Sequence, residues 1–186
     1  MLPRSEQKQE TRSRILASAA EALRQRGLAA SSVGDVMAGA GLTVGGFYAH
    51  FDNKDALMLE ALDRVFVQRR ELLFGLIQPG TPVEQRKQAA RAYLSRKHRD
   101  MDAQCCPLPA ILSELPKQPE GFRNLLEQHL EQLIRAMVAG ESDRAAARTI
   151  ALADLATMIG ALTLSRALGA TPFSDELLAA AKAAIR

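Results

Sequence analysis

Apolar residues recur along this chain with the period of amphipathic helices. After a polar arm before Gln9, Ile15, Ala19, Ala22 and Leu23 fall at i, i+4, i+7 and i+8, one helical face, and Gly27 suits the position just past its end. Ser32-Val33-Gly34-Asp35 has the spacing of a capping box and opens a short second helix. The stretch Ala38-Gly39-Ala40-Gly41 breaks it, and Thr43 is placed to cap a third helix running to about His50. A fourth starts at Asp52 or Asn53. It carries the stripe Met58, Leu62, Val65 and stops at Gln78-Pro79-Gly80.

Further on, Thr81-Pro82-Val83-Glu84 combines a Thr cap, a Pro at the first helical position and a Glu at the third, which predicts a fifth helix to about Arg99. Cys106-Pro107 opens a short sixth that ends before Pro116. A seventh runs from near Glu120 to about Gly140, an eighth from Ser142 or Asp143 to Gly169, and Ser174 caps a ninth through Ile185. No stretch alternates with period two. The pattern predicts an all-α fold of about nine helices. Residues 1–54 form a three-helix head with a helix-turn-helix, and residues 55–186 form a larger helical body.

Composition agrees with this without deciding function. Of 186 residues 47% are apolar and 4% aromatic, with no Trp, which favours helices over a β-sandwich. The net charge is +3, and residues 1–54 hold 7 Lys and Arg against 5 Asp and Glu, so the argument for DNA rests on pattern. The start is polar and lacks a signal-peptide core. No apolar run reaches the roughly 18 residues of a membrane span, so the expectation is a cytoplasmic protein with no membrane partner. Three scattered histidines, no phosphate loop and no metal-ligand spacing argue against an enzyme, and neither cofactor nor metal is expected.

The chemistry of the head lies between Thr43 and Lys54. Phe47 and Phe51, four apart, should point inward with Val36 and Met37, leaving Thr43, Val44, Gly45, Gly46 and Tyr48 on the outside. Two glycines inside a helix cost about 1 kcal/mol each relative to Ala. Either backbone approaches a DNA groove there, or a neighbouring helix packs close. Tyr48, His50 and Lys54 are suited to phosphate contacts, which set register without reading sequence.

The stretch Ile15 to Leu57 resembles the DNA-binding domain of the TetR/AcrR family of bacterial repressors. The residues that carry the likeness are Ala40-Gly41, Phe47-Tyr48, His50-Phe51 and Lys54-Asp55-Ala56-Leu57, ungapped over about eighteen positions. The opening run Thr11-Arg12-Ser13-Arg14-Ile15-Leu16-Ala17 is similar too. The resemblance implies phosphate contacts by Ser32, Thr43, Tyr48, His50 and Lys54, with Val44, Gly45 and Gly46 facing the groove. It also implies a homodimer on a palindromic double-stranded DNA operator, released by an effector bound between the head and the dimer interface. Many members carry Lys or Arg where Val44 stands, so readout here leans on thymine methyls or DNA shape.

In the body, the run Thr157 to Ser165, with Ile159 and Leu162, and then Leu177, Leu178, Ala181 and Ile185, offers an apolar face for a symmetric interface; ordinary monomer core is the other reading. Tyr93, Met101, Phe122, His129, Met137 and Met158 are candidates to line a site for an unknown small-molecule effector. Arg86, Lys87, Arg91, Arg96, Lys97, His98 and Arg99 read as a solvated basic face. Cys106, before Pro107 at a helix start, is placed for a stabilised thiolate that senses oxidants or electrophiles, with Cys105 beside it; a small buried cap residue is the alternative. The rival to a DNA-binding regulator is a helical ligand-binding or adaptor protein without a DNA role.

Overall fold

A computed structural model describes residues 3–100 and 106–186, so Met101 and Cys105 of the expected sites lie outside the described residues. Among the described residues every regular element is helical, as the periodicity predicts. The α-helices are α1 (Arg4–Arg26), α2 (Val33–Gly39), α3 (Lys54–Gly75), α4 (Pro82–Tyr93), α5 (Arg96–Asp100), α6 (Leu108–Ile111), α7 (Glu120–Met137), α8 (Arg144–Leu168) and α9 (Pro172–Ala184). Two 3-10 segments, Val44–Ala49 and Leu115–Lys117, complete the order.

Helix α1 begins at Arg4, earlier than expected, because Pro3 sits where its missing N–H is harmless. Its buried face, Ile15, Leu16, Ala19 and Leu23, docks α2 and the first half of α3. The α1–α2 crossing is fixed by a hydroxyl, since Ser18 Oγ donates to the carbonyl of Val36 at 2.8 Å. In α3 the expected stripe Met58, Leu62 and Val65 is buried. This helix packs on α1 near its start and on α4 and α7 beyond, and one apolar core runs from Ile15 in the head to Ile185 in the body. Head and body therefore share α3 as a common beam.

Four local expectations are corrected. The third helix is a 3-10 segment, and Thr43 holds its N-cap place without a side-chain cap bond. The fifth helix is two: Leu94 leaves helical geometry, and Ser95 restarts the chain by accepting the His98 N–H at 3.1 Å. The basic run is a solvated face only in part: Lys87, Arg91, Arg96 and Lys97 are exposed, but Arg86, His98 and Arg99 are buried. Arg86 pairs with Glu141 at 2.5 Å, and Arg99 donates to Ser174 Oγ and Asp175 Oδ1, both at 2.8 Å, tying α5 to α9. Finally, Thr171 caps α9, accepting from the Ser174 N–H at 3.1 Å, while Ser174 is buried with its hydroxyl 2.6 Å from that of Ser165.

Helix α8 is the longest. By length and composition it is apolar enough to cross a membrane, against the expectation from run length, and only 33% of that window is buried. It packs in the body against α9, α6 and α7. One side stays bare: Leu152, Ala153, Ala156, Gly160, Leu164, Ala167 and Leu168 are exposed.

Candidate nucleic-acid interface and ligand cavity

The segment Val44–Ala49 is held from beneath by aromatic packing. Phe47 is fully buried and stacks on Phe51 with ring centroids 6.0 Å apart. The Arg12 guanidinium lies 4.6 Å over the Phe51 ring and pairs with Glu60 of α3, so one side chain of α1 clamps both the ring and the beam. The turn that delivers the segment uses Gly41 at φ 69°, a conformation that side-chain-bearing residues avoid.

The opposite side is open. Ser32, Thr43, Val44, Gly45, Gly46 and Tyr48 are all exposed, Val44 by 50% and Tyr48 by 76%. Gly45 and Gly46 have no positive φ, so backbone geometry does not require glycine at either position. A Cβ on Gly45 would meet nothing within 4 Å, and one on Gly46 would only touch Met37 at 3.9 Å. Close packing against a neighbouring helix is thereby removed as the reason for the pair.

Other polar groups on this surface differ in readiness. The Ser32 hydroxyl caps α2, accepting the Asp35 N–H at 3.0 Å and donating to Asp35 Oδ2 at 2.7 Å. Lys54 is the first residue of α3, capped by Asn53, whose Oδ1 accepts the Ala56 N–H at 2.8 Å. A cation at a helix N-terminus opposes the dipole, so its placement suits an external anion better than the helix itself. His50 is half-buried, and among the described residues its Nδ1 has no partner. Burial, and then the charges of Lys8 and Arg12, lower its pKa, which favours the neutral ring.

Residues 15–61 match the family model described as bacterial regulatory proteins, tetR family. The head is similar to that family's domain over these residues. The whole chain has the fold of solved TetR-type regulators. One from Cytophaga hutchinsonii superposes with TM-score 0.76 at 21% identity over 100% of this chain and 96% of that one. NemR of E. coli, in a form described as reduced, gives 0.79 at 20% over 95% of each. A regulator from Chloroflexus aurantiacus gives 0.75 at 26% over 97% and 94%. No curated protein matches the sequence at a significant level.

Below this head, residues of α3, α4, α7 and α8, with Cys106 and Leu108, line a largely apolar cavity of about 70 Å³. Of the residues expected there, Tyr93, His129, Met137 and Met158 line it. Phe122 does not; it is buried elsewhere in the core. Residues that sequence reasoning missed are Phe66, Arg69, Arg70 and Leu73 on α3, and Cys106 itself. Their signal was present, since 66, 69, 70 and 73 share one helical face.

Cys106 is buried, which disfavours the thiolate expected from its helix start. Burial raises its pKa, although the Tyr93 hydroxyl and the Leu108 N–H act the other way. Its backbone is locked: its N–H donates to His98 Nε2 at 3.1 Å and its carbonyl accepts from Arg166 at 2.8 Å. His98 Nδ1 in turn lies 2.6 Å from the Tyr93 carbonyl. A ring that donates at Nδ1 and accepts at Nε2 must be neutral, and burial, then Arg69, push its pKa down to about 3. The Tyr93 hydroxyl is buried with no well-formed hydrogen bond among the described residues.

The dimer expectation also needs redrawing. Leu162, Leu178, Ala181 and Ile185 are buried within the chain and cannot form a subunit face, and Ile159 is partly buried at the cavity. Of the α9 residues expected there, only Leu177 keeps partial exposure. The bare apolar groups are Leu152, Leu164 and Leu168 of α8 and Phe173 of α9. Most residues that periodicity nominates for an interface lie instead on the inner faces of α8 and α9.

Proposed function

We propose that this chain is a TetR-type transcriptional repressor that binds a palindromic DNA operator as a homodimer and is released by a small molecule held in the body cavity. The observation that carries the DNA role is the open surface at Gly45-Gly46 and Tyr48: no contact within the chain explains the glycines, and a groove or phosphate approached by backbone does. The exposed faces of α8 and α9 supply the two-fold contact that a palindrome requires. An adaptor without a DNA role leaves the bare Val44 and Tyr48, and Lys54 at the start of α3, without purpose. In a footprinting experiment on the DNA upstream of the protein's own gene, the full chain should protect two half-sites with dyad symmetry. A chain that protects no such site on this or any other genomic fragment is not this regulator.

A second reading concerns the signal. Cys106 lines the same cavity, and a structural neighbour was solved in a form described as reduced, so an electrophile entering the cavity would meet the thiol. Its reactivity would come from proximity in the cavity, since burial favours the neutral thiol. Cys106→Ser should then abolish release by a quinone while leaving operator binding intact. Release that survives the substitution removes Cys106, leaving reversible ligand binding.

A further inference from the structure

The wall of the cavity carries an imbalance of charge. On α3, Phe66, Arg69, Arg70 and Leu73 fall at i, i+3, i+4 and i+7, so two arginines stand on the apolar face turned to the cavity. Among the described residues lining it, none is Asp or Glu. Arg70 Nη1 lies 3.4 Å from His129 Nδ1 and donates to Gln132 Oε1 of α7. Among the described residues no carboxylate pairs with it. The nearby Asp63 is directed instead at the far nitrogen of the same ring, with its Oδ1 2.7 Å from His129 Nε2. A guanidinium facing apolar surroundings with only ring and amide partners keeps the capacity to take a carboxylate in its fork. Deeper in, the Tyr93 hydroxyl is a buried polar group without a well-formed partner.

Resting on the regulator reading above, we infer that the effector is a small amphiphilic organic anion. Its carboxylate is held by Arg70, its compact hydrocarbon body lies against Phe66, Leu130 and Met158, and one of its oxygens accepts from Tyr93. A cationic ligand would meet two guanidinium groups, and a neutral one would desolvate Arg70 without replacing the displaced water. Met137 and Met158 give the wall the compliance to admit a body somewhat larger than the empty cavity.

Three probes with one hydrocarbon body separate the possibilities: hexanoate, 1-hexanol and hexylamine, titrated into the full chain by calorimetry. Hexanoate should bind at least tenfold more tightly than hexanol, with hexylamine weakest. Arg70→Gln should erase the preference, and Arg70→Lys, which keeps the charge but not the fork, should restore part of it. The lysine variant also decides the matter if the glutamine one fails to fold. Equal or tighter binding of hexanol or hexylamine, a preference that survives Arg70→Gln, or no binding of any probe overturns the inference. Leu130→Trp, which fills the cavity, tells failure of the anion inference from failure of the effector reading. If hexanol binds and the Trp blocks it, the cavity is an effector site of another class. If none of the probes binds and the Trp leaves operator release unchanged, the effector reading fails with it.

Discussion

At the residue scale, side chains near each other in the head have opposite jobs, and substitutions should separate them. Tyr48→Ala removes an exposed ring whose edge contact is with Phe47, and Lys54→Ala a half-buried chain at a helix start, so the thermal melt should stay within about 1 kcal/mol of the parent. Operator affinity should fall roughly tenfold or more, as expected when each head gives up a charge-assisted hydrogen bond. An unfolded Tyr48→Ala would show that the ring is a core residue. Gly45→Ala is the sharper case. With open space around the new methyl, stability should hold or rise by up to about 1 kcal/mol while DNA binding weakens. Unchanged affinity would mean that no groove approaches this backbone. His98 gives a pH signature. Its folded pKa lies below the unfolded value of about 6.5, so the unfolded chain binds the extra proton. That stability is fully present above pH 6.5 and is lost as the pH falls from there toward 3. The slope is at most about 1.4 kcal/mol per pH unit, so the melting temperature should drop a few degrees from pH 6.5 to 5.5. His98→Gln should flatten that drop, and an equal drop in the variant would locate the proton elsewhere.

At the element scale, α6 links the cavity to the head. Leu108 lines the cavity, and three residues beyond α6 the Glu114 carboxylate accepts the Ala29 N–H at 2.7 Å, just after α1. Gly27, at φ 78°, lets this bond form, since a Cβ there would collide with Glu114 Oε1. Gly27→Ala should cost about 1–2 kcal/mol from the backbone alone, measured by denaturant unfolding. Glu114→Ala should leave operator binding nearly intact but raise the effector concentration needed for release, because a ligand moves the head only through interactions that differ between the two states. Release at an unchanged concentration would exclude this route. The elements also show what the sequence makes legible. Thr81-Pro82-Val83-Glu84 spells out its capping box, and both reciprocal bonds form. Thr43 offers the same cap chemistry and forms none, because the segment it precedes is pulled into 3-10 geometry between Gly41 and the buried Phe47. Residues 81–99 keep a helical period across a break made by Ser95, a side-chain bond with no signature in hydrophobicity.

At the scale of the molecule, periodicity shows that a helix is apolar but not which neighbour takes each face. Leu162, Leu178, Ala181 and Ile185, expected on an outer face of α8 and α9, are therefore turned inward, and Cys106, read from its helix start, is buried. The head is legible because its motif is local, from Ala40 to Leu57. The cavity is only half so, because its wall gathers residues from α3 to α8. The bare face of α8 makes the assembly testable. Leu164→Arg, at a site 56% exposed, should leave the monomer folded while shifting the chain from dimer to monomer in analytical ultracentrifugation and weakening operator binding. A dimer that persists would place the interface elsewhere.

The central claim is that the Gly45–Tyr48 surface and Lys54 engage the DNA backbone, and operator affinity measured from about 50 to 200 mM salt tests it most directly. The logarithm of affinity should fall linearly with the logarithm of salt. Lys54→Ala should reduce the slope by about 1 for each phosphate no longer neutralised, about 2 for a symmetric dimer. A flat salt dependence, or the same slope in parent and variant, would contradict the account.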